Sequence, residues 1–356
     1  MMTGPVTPSS RKSGDSKWVI VTGGAGFIGS HLTERLLADG KSVVVIDDLS
    51  TGRLENLRDV RDHPRLRILQ ARVSECAELA GFAARAESIY HLAAAVGVEL
   101  VLNSPVQSIQ TNLRETEAIL EAATAHQVPV LLTSSSEVYG KSQKESFSED
   151  DDLWIGPPTH LRWSYACSKL MDEFMAMAYA RERGLPVIIA RLFNTVGPRQ
   201  TGRYGMVLPR FIEAAKSGRP LRVYGNGQQT RCFCHVKDTV EALVRLQGSA
   251  KARGQMINVG SSEEIAILNL AQLILRTLRS DSSVELVPYE QAYSADYEDM
   301  ARRRPDITKL VALTGFTATP LRTAVRTILQ VSPNFKSHAQ TRAAKAGRKT
   351  KRRKNE

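Results

Sequence analysis

Tyr165 and Lys169, in the pentapeptide Tyr-Ala-Cys-Ser-Lys, stand four residues apart. On a helix that spacing puts a phenol and an ammonium on one face, one turn apart. A nearby ammonium favours the phenolate, so the pair predicts a tyrosine whose pKa is lowered toward neutrality. Such a tyrosine can take the proton of an alcohol while a nicotinamide takes its hydride. The same spacing is common on exposed helix surfaces, so it does not establish that chemistry alone. A second cluster is TSSSEVYG at 133–140. Its serines and Glu137 follow the apolar stretch Val128–Leu132, which reads as a buried strand. Open parallel sheets place their ligands at that C-terminal end. Glu137 is then either a solvated loop carboxylate or a catalytic acid or base.

A third cluster is Gly24-Ala-Gly26-Phe-Ile-Gly29, which fits G-x-G-x-x-G. It follows the apolar run Trp18–Val21 and opens an amphipathic helix, the context a dinucleotide fingerprint requires. The helix N-terminus offers free N–H groups and a positive dipole end to a pyrophosphate. About 20 residues on, the second apolar run ends in Asp47-Asp48; a carboxylate there accepts from a ribose diol and repels a 2′-phosphate. The expected cofactor contacts are Gly23, Gly24, Gly26, Phe27, Ile28, Gly29 and Asp47. NAD is favoured over NADP, although Arg53 in the next loop keeps NADP open. The bland alternative is a glycine turn with no ligand.

These residues need a scaffold that brings strand ends together. Apolar runs at 18–21, SVVVIDDLS, RLRILQARV, ESIYHLAAAV, 128–132 and LPVIIARLFNTVGP, the last running into a loop, alternate with helical patterns, including long ones near 104–126 and 161–183. That rhythm predicts a parallel, doubly wound sheet. Gly40 is expected to cap the first helix. After about residue 197 glycines and prolines multiply, and a smaller, irregular region is predicted. It includes a helix at 263–280 and a short one within 305–316, ending at Gly315. No internal repeat is visible. The expected division is a lead-in at 1–16, a nucleotide-binding domain at 17–196, a substrate-binding region at 197–332 interleaved with it, and a tail at 333–356.

The composition, 42% apolar and 24% charged over 356 residues, suits one large α/β unit or two domains. No apolar run is long enough to span a membrane, and the N-terminus lacks a secretory apolar core. The net charge of +11 is concentrated from Lys336 onward, where nine Lys and Arg meet one Glu. That stretch reads as a solvated, disordered extension, with nucleic acid, anionic lipid or an acidic protein as its alternative partners. Cys76, Cys167, Cys232 and Cys234 are few and scattered, which fits a reducing cytoplasm. Their spacing makes no zinc site, and no metal is expected.

TGGAGFIG, HLAAAV, TSSSEVYG, YACSK and RLFNTVGP occur in this order. Over about residues 17–330 the chain resembles the extended short-chain dehydrogenase/reductases, which are nucleotide-sugar epimerases, dehydratases and decarboxylases. The resemblance implies a Rossmann-type sheet with a smaller C-terminal α/β substrate-binding region, a tightly held NAD and a homodimer built on the two long helices. It implies Tyr165 as base, Lys169 on the nicotinamide ribose, and Ser135 or Ser136 on the sugar hydroxyl. Leu92, Ala93 and Ala94 would line the cofactor. Asn194 and Arg231 would meet the substrate, with Arg304 a further phosphate contact. The third strand departs from the family pattern: Ala71-Arg72-Val73 stands where an Asp usually meets adenine, which puts cofactor affinity and choice in doubt. The Ser136-Glu137 pair is similar to UDP-glucuronate decarboxylases and to some 4,6-dehydratases. FSEDDDLWIGPPTHLRWSYACSK, with GNGQQTRCF later, resembles the decarboxylases further. The expected reaction is UDP-glucuronate decarboxylation to UDP-xylose. UDP-glucose 4-epimerase, 4,6-dehydratase and a non-catalytic dinucleotide-binding module tethered by the tail are the alternatives.

Overall fold

In the computed structural model, residues 17–95, 103–202, 206–288, 291, 300 and 302–331 are described. The expected lead-in and tail lie outside them. The elements in chain order are β1 (Trp18–Thr22), α1 (Phe27–Ala38), β2 (Ser42–Ile46), β3 (Leu66–Leu69), α2 (Leu79–Ala83), β4 (Ala86–His91), α3 (Pro105–Thr124), β5 (Val130–Ser135), α4 (Trp163–Arg183), β6 (Val187–Leu192) and β7 (Thr195–Val196). They continue with α5 (Val207–Lys216), β8 (Leu221–Tyr224), β9 (Thr230–Cys232), β10 (Cys234–His235), α6 (Val236–Gly248), β11 (Gln255–Val259), β12 (Glu264–Ala266), α7 (Ile267–Leu278), β13 (Val284–Val287), α8 (Thr308–Thr314) and α9 (Leu321–Val331).

Seven strands form one parallel sheet in the order β11-β6-β5-β4-β1-β2-β3. The chain starts in the middle, winds to one edge, then crosses to the other, so the topological switch lies between β1 and β4. Side chains alternate across the strands. Val19, Val21, Val43, Val45 and Ile188 pack with Leu32 and Leu36 of α1 and Leu243 and Leu246 of α6. Ile20, Val44, Ile46, Ile89 and Ile189 pack on the opposite face with Ile119 and Leu120 of α3 and Ala176 of α4. Central strands covered on both sides explain the near-continuous apolar runs in the sequence.

A second cluster gathers Leu208, Phe211, Leu221, Val223, Leu270, Ile274 and Val325 from α5, β8, α7 and α9. This smaller body lies beyond the C-terminal ends of the sheet strands. The chain crosses between the two: β11 and α6 come from the later half yet complete the sheet layer.

Three local readings change. The strand within RLRILQARV stops at Leu69, because the Val73 and Ser74 amides turn to the Glu115 carboxylate on α3. The helix expected at 263–280 begins only at Ile267, since Glu264–Ala266 pairs antiparallel with β9. The first helix is capped by Asp39, and Gly40 follows at φ +83°.

Candidate active site

A cavity of about 780 Å³ runs across the strand ends from the glycine turn to the second body. At one end Gly23, Gly26, Phe27, Ile28, Gly29, Asp47, Leu92, Ala93 and Ala94 line it. Gly23 sits at φ +67°, and a Cβ there would lie 2.8 Å from the Ala93 amide nitrogen. Two strand ends therefore approach backbone to backbone. The α1 N-terminus carries no side-chain cap, which leaves its first amides for an anion. Gly24 is placed differently from the expectation: it does not line the cavity, and its Cα packs on Val45, whose methyl a Cβ would meet at 2.6 Å. It brings α1 close to β2.

Asp47 lines the cavity, and its two oxygens accept the Ala25 amide at 2.9 Å and the Leu49 amide at 2.8 Å. Burial pushes its carboxyl up, against those two hydrogen bonds. The Gly26 amide also acts on it, and the remaining acceptor capacity of the carboxylate suits a ribose hydroxyl. Asp48 also lines the cavity, with Arg72 Nε 3.7 Å away. The uncapped helix start, the close turn and the paired acids fit a dinucleotide, and Arg72 lines the same end of the cavity.

The reacting end is built by three elements. β5 stops at Ser135, whose hydroxyl accepts the Glu137 amide at 3.2 Å and so shapes the turn. The first turns of α4 supply Arg162, Tyr165 and Lys169. The segment before α8 is held by Phe147, whose amide donates to the Arg304 carbonyl at 2.8 Å and whose carbonyl accepts the Asp306 amide at 2.9 Å. That pairing aims Arg303 inward. Its guanidinium donates to Glu137 Oε1 at 2.8 Å and to Ser136 Oγ at 2.7 Å. Arg162 reaches Glu137 Oε2 at 3.3 Å and stacks on Trp163, 5.2 Å from its centroid. Burial pushes Glu137 up, but Arg303, Arg162 and Arg231 outweigh it and hold the carboxyl below its usual range.

Tyr165 and Lys169 both line the cavity, and the Ser135 hydroxyl hydrogen-bonds the phenol. The tyrosine does not show the expected lowered pKa. Burial first, then the Glu137 carboxylate, pushes it up, against Ser135 and Arg303. Lys169 instead pairs with Asp172, Nζ to Oδ2 at 2.8 Å.

Asn194 and Arg231 line the cavity; Asn194 donates to the Cys232 carbonyl at 3.2 Å. Arg304 does not line it and acts on Cys232 and Glu264 instead. Arg303 takes the inward place, and sequence reasoning missed it. Arg162 is a second residue that sequence reasoning does not single out. Its signal was its place three residues before Tyr165, one turn up the helix. Burial pushes the Cys232 and Cys234 thiols up to about 12, so neither is a ready nucleophile.

A dinucleotide cradle opening onto a Ser-Tyr-Lys set defines a nicotinamide-dependent enzyme that oxidises a hydroxyl of its substrate. Residues 19–260 match the model of the NAD dependent epimerase/dehydratase family, and the chain belongs to that family. It is 39% identical over 84% of its length to a UDP-N-acetyl-alpha-D-glucosaminuronate decarboxylase of Bacillus cytotoxicus, covering 92% of that protein. It is 37% identical over 85% of its length to UDP-glucuronic acid decarboxylase 1 of Danio rerio, covering 69% of that protein. Among solved structures, a UDP-glucuronic acid 4-epimerase from Bacillus cereus, in complex with UDP-glucuronic acid and NAD, superimposes with TM-score 0.79 at 25% identity. The match covers 88% of this chain and 98% of that one. The cofactor is NAD.

Proposed function

We propose that the protein is an NAD-dependent UDP-glucuronate decarboxylase that forms UDP-xylose. The observation that carries this reading is the convergence of Arg303, Arg162 and Arg231 on Glu137 beside Tyr165. A site for a neutral hexose needs no such gathering of guanidiniums. A sugar bearing a carboxylate next to the reacting carbon does. The decarboxylases of Bacillus cytotoxicus and Danio rerio support the same reading.

Tyr165 takes the proton of the carbon-4 hydroxyl, with the Ser135 hydroxyl hydrogen-bonded to the same oxygen. When bound, NAD supplies a reversible two-electron acceptor at carbon 4. The resulting ketone is β to the carboxylate. The bond between carbons 5 and 6 breaks, CO₂ leaves, and its electron pair becomes an enolate whose oxygen stays within reach of Tyr165 and Ser135. Arg303 and Arg231 hold charge near that oxygen. Glu137, kept ionised, is an orienting group rather than a proton donor: it aligns Arg303 and Arg162 and accepts from the sugar. Carbon 5 then takes a proton from solvent, the hydride first removed from carbon 4 returns to it, and Tyr165 gives its proton back to the oxygen.

NMR of the protein with UDP-glucuronate tests the reading. A UDP-pentose with stoichiometric CO₂ is expected, and neither product would end it. The likeness to the Bacillus cereus epimerase favours a second reading, 4-epimerisation of the same sugar. That would give a galacto-configured uronate and no CO₂. A parallel tube with the 2-acetamido uronate tests the preference named in the Bacillus cytotoxicus relative.

The remaining assignments belong to the same proposal. Tyr165 and Lys169 are the reacting pair, Asn194 and Arg231 bind substrate, and the two bodies correspond to cofactor and substrate halves. Val106 on α3 and Met171 and Phe174 on α4 are exposed apolar residues on two helices that pack together. With Cys167, also exposed, they fit a second copy of this chain. No described helix is long and apolar enough to cross a membrane, and the four cysteines are free. A reducing cytoplasm is the proposed location. Deleting the basic residues from 336 onward should spare turnover.

A further inference from the structure

Behind the reacting pair lies a carboxylate to which no step above gives a role. Lys169 and Asp172 are 2% and 0% exposed and meet at 2.8 Å. Every element packed here contributes a group. On α3, Thr116 faces the carboxylate. On β4, His91 lies in the field of Lys169, and its Nε2 meets Thr116 Oγ1 at 3.2 Å. On α4, Glu173 adds a like charge but is committed to Arg191 at 2.8 Å. At the end of β5, Ser135 and Glu137 face Tyr165, as does Arg303.

An ammonium has three donors. Asp172 takes one from below, which directs the others toward the cavity that Lys169 lines. A buried pair contributes little net stability compared with apolar packing, so its presence beside a reacting group points to a role for its charge. We propose that Asp172 is a positioning residue: its carboxylate fixes the direction of the Lys169 ammonium and offsets that charge at Tyr165, setting the pH at which the phenol gives up its proton. This rests on reading Tyr165 and Lys169 as the reacting pair. Asp172 also pushes the phenol up directly, alongside burial and Glu137.

The test compares the NAD-loaded wild type with Asp172→Asn and Asp172→Glu. In Asp172→Asn the acid limb of the kcat profile should move to lower pH by about one unit. Its kcat should fall about tenfold or more while KM stays within about threefold, because the lost interaction serves the reacting pair and not ground-state binding. Asp172→Glu should bring the midpoint back toward the wild-type value. A folded Asp172→Asn protein with an unmoved midpoint overturns the proposal. The neutral substitution strands a buried ammonium and can cost the fold. A second measurement therefore uses the wild type: ¹⁵N-lysine NMR, with Lys169→Met as the assignment control. A Lys169 ammonium signal that exchanges slowly with solvent is expected, and one exchanging as fast as surface lysines overturns the proposal. This readout needs no sugar, so it separates failure here from failure of the reaction assignment.

Discussion

At the scale of single residues, the site depends on two donors whose geometry cannot be copied by a simpler group. Tyr165→Phe removes the hydroxyl that takes the carbon-4 proton. Turnover should fall by about 10²- to 10⁴-fold with NAD affinity, read by fluorescence titration, unchanged. Arg303 donates to Glu137 and Ser136 at once, so Arg303→Lys keeps the charge but loses the fork. We expect kcat to drop more than tenfold, roughly a 1.4 kcal/mol loss or greater, with little change in fold by circular dichroism. The sequence made Glu137, Tyr165 and Lys169 legible because each stands at a recognisable strand end or helix spacing. It did not make Arg303 legible, because three arginines run together at 302–304. In an extended segment neighbouring side chains point to opposite sides. Choosing among them needs the register, which here is set by Phe147 pairing across the fold. The raised tyrosine pKa is illegible for a similar reason: the Lys169 spacing is local, whereas burial and the opposing Glu137 charge arise only on folding.

At the scale of elements, α1 and α4 carry most of the site, one by its N-terminus and the other by the face of its first two turns. Both were readable from periodicity, because each must bury a stripe against the sheet. The short pairing of β12 with β9 was not, since three residues at the start of a strong helical pattern show no distinct period. The outer face of α4 offers its own test. Cys167, Met171 and Phe174 recur at i, i+4 and i+7, and all are exposed. Replacing both Met171 and Phe174 by Glu should convert a dimer into a monomer by light scattering. A wild type that is itself monomeric would remove the proposal.

At the scale of the whole molecule, acid should loosen the fold through buried imidazoles. Burial holds His31 down to about 4 and His91 down to about 3, from an ordinary 6.5. Unfolded chains therefore bind more protons than folded ones below pH 6.5. The stabilisation is complete above that pH and is lost as pH falls toward 4 and 3. For His31 alone the span is on the order of 3 kcal/mol. The raised carboxyls of Asp47 and Asp172 work the other way, at pH values above the carboxylate range of the unfolded chain. A Tm series from pH 7 to 4.5 should fall steadily. His31→Gln, whose amide can still donate to the Pro198 carbonyl that His31 meets at 3.1 Å, should flatten it.

The crossing of the chain between its two bodies has a consequence during synthesis. β6 is complete once residue 192 emerges from the ribosome, but β11, its partner on the open side, ends at residue 259. At about 5–20 residues per second that interval lasts about 3 to 13 s. Throughout it, the apolar strand Val187–Leu192 presents an unpaired edge, and the inner face of α6 has not yet covered the sheet. A nascent chain stalled just after residue 200 has emerged should therefore be a stronger chaperone client than one stalled after residue 260 has emerged, and ribosome-profiled chaperone occupancy should peak between the two.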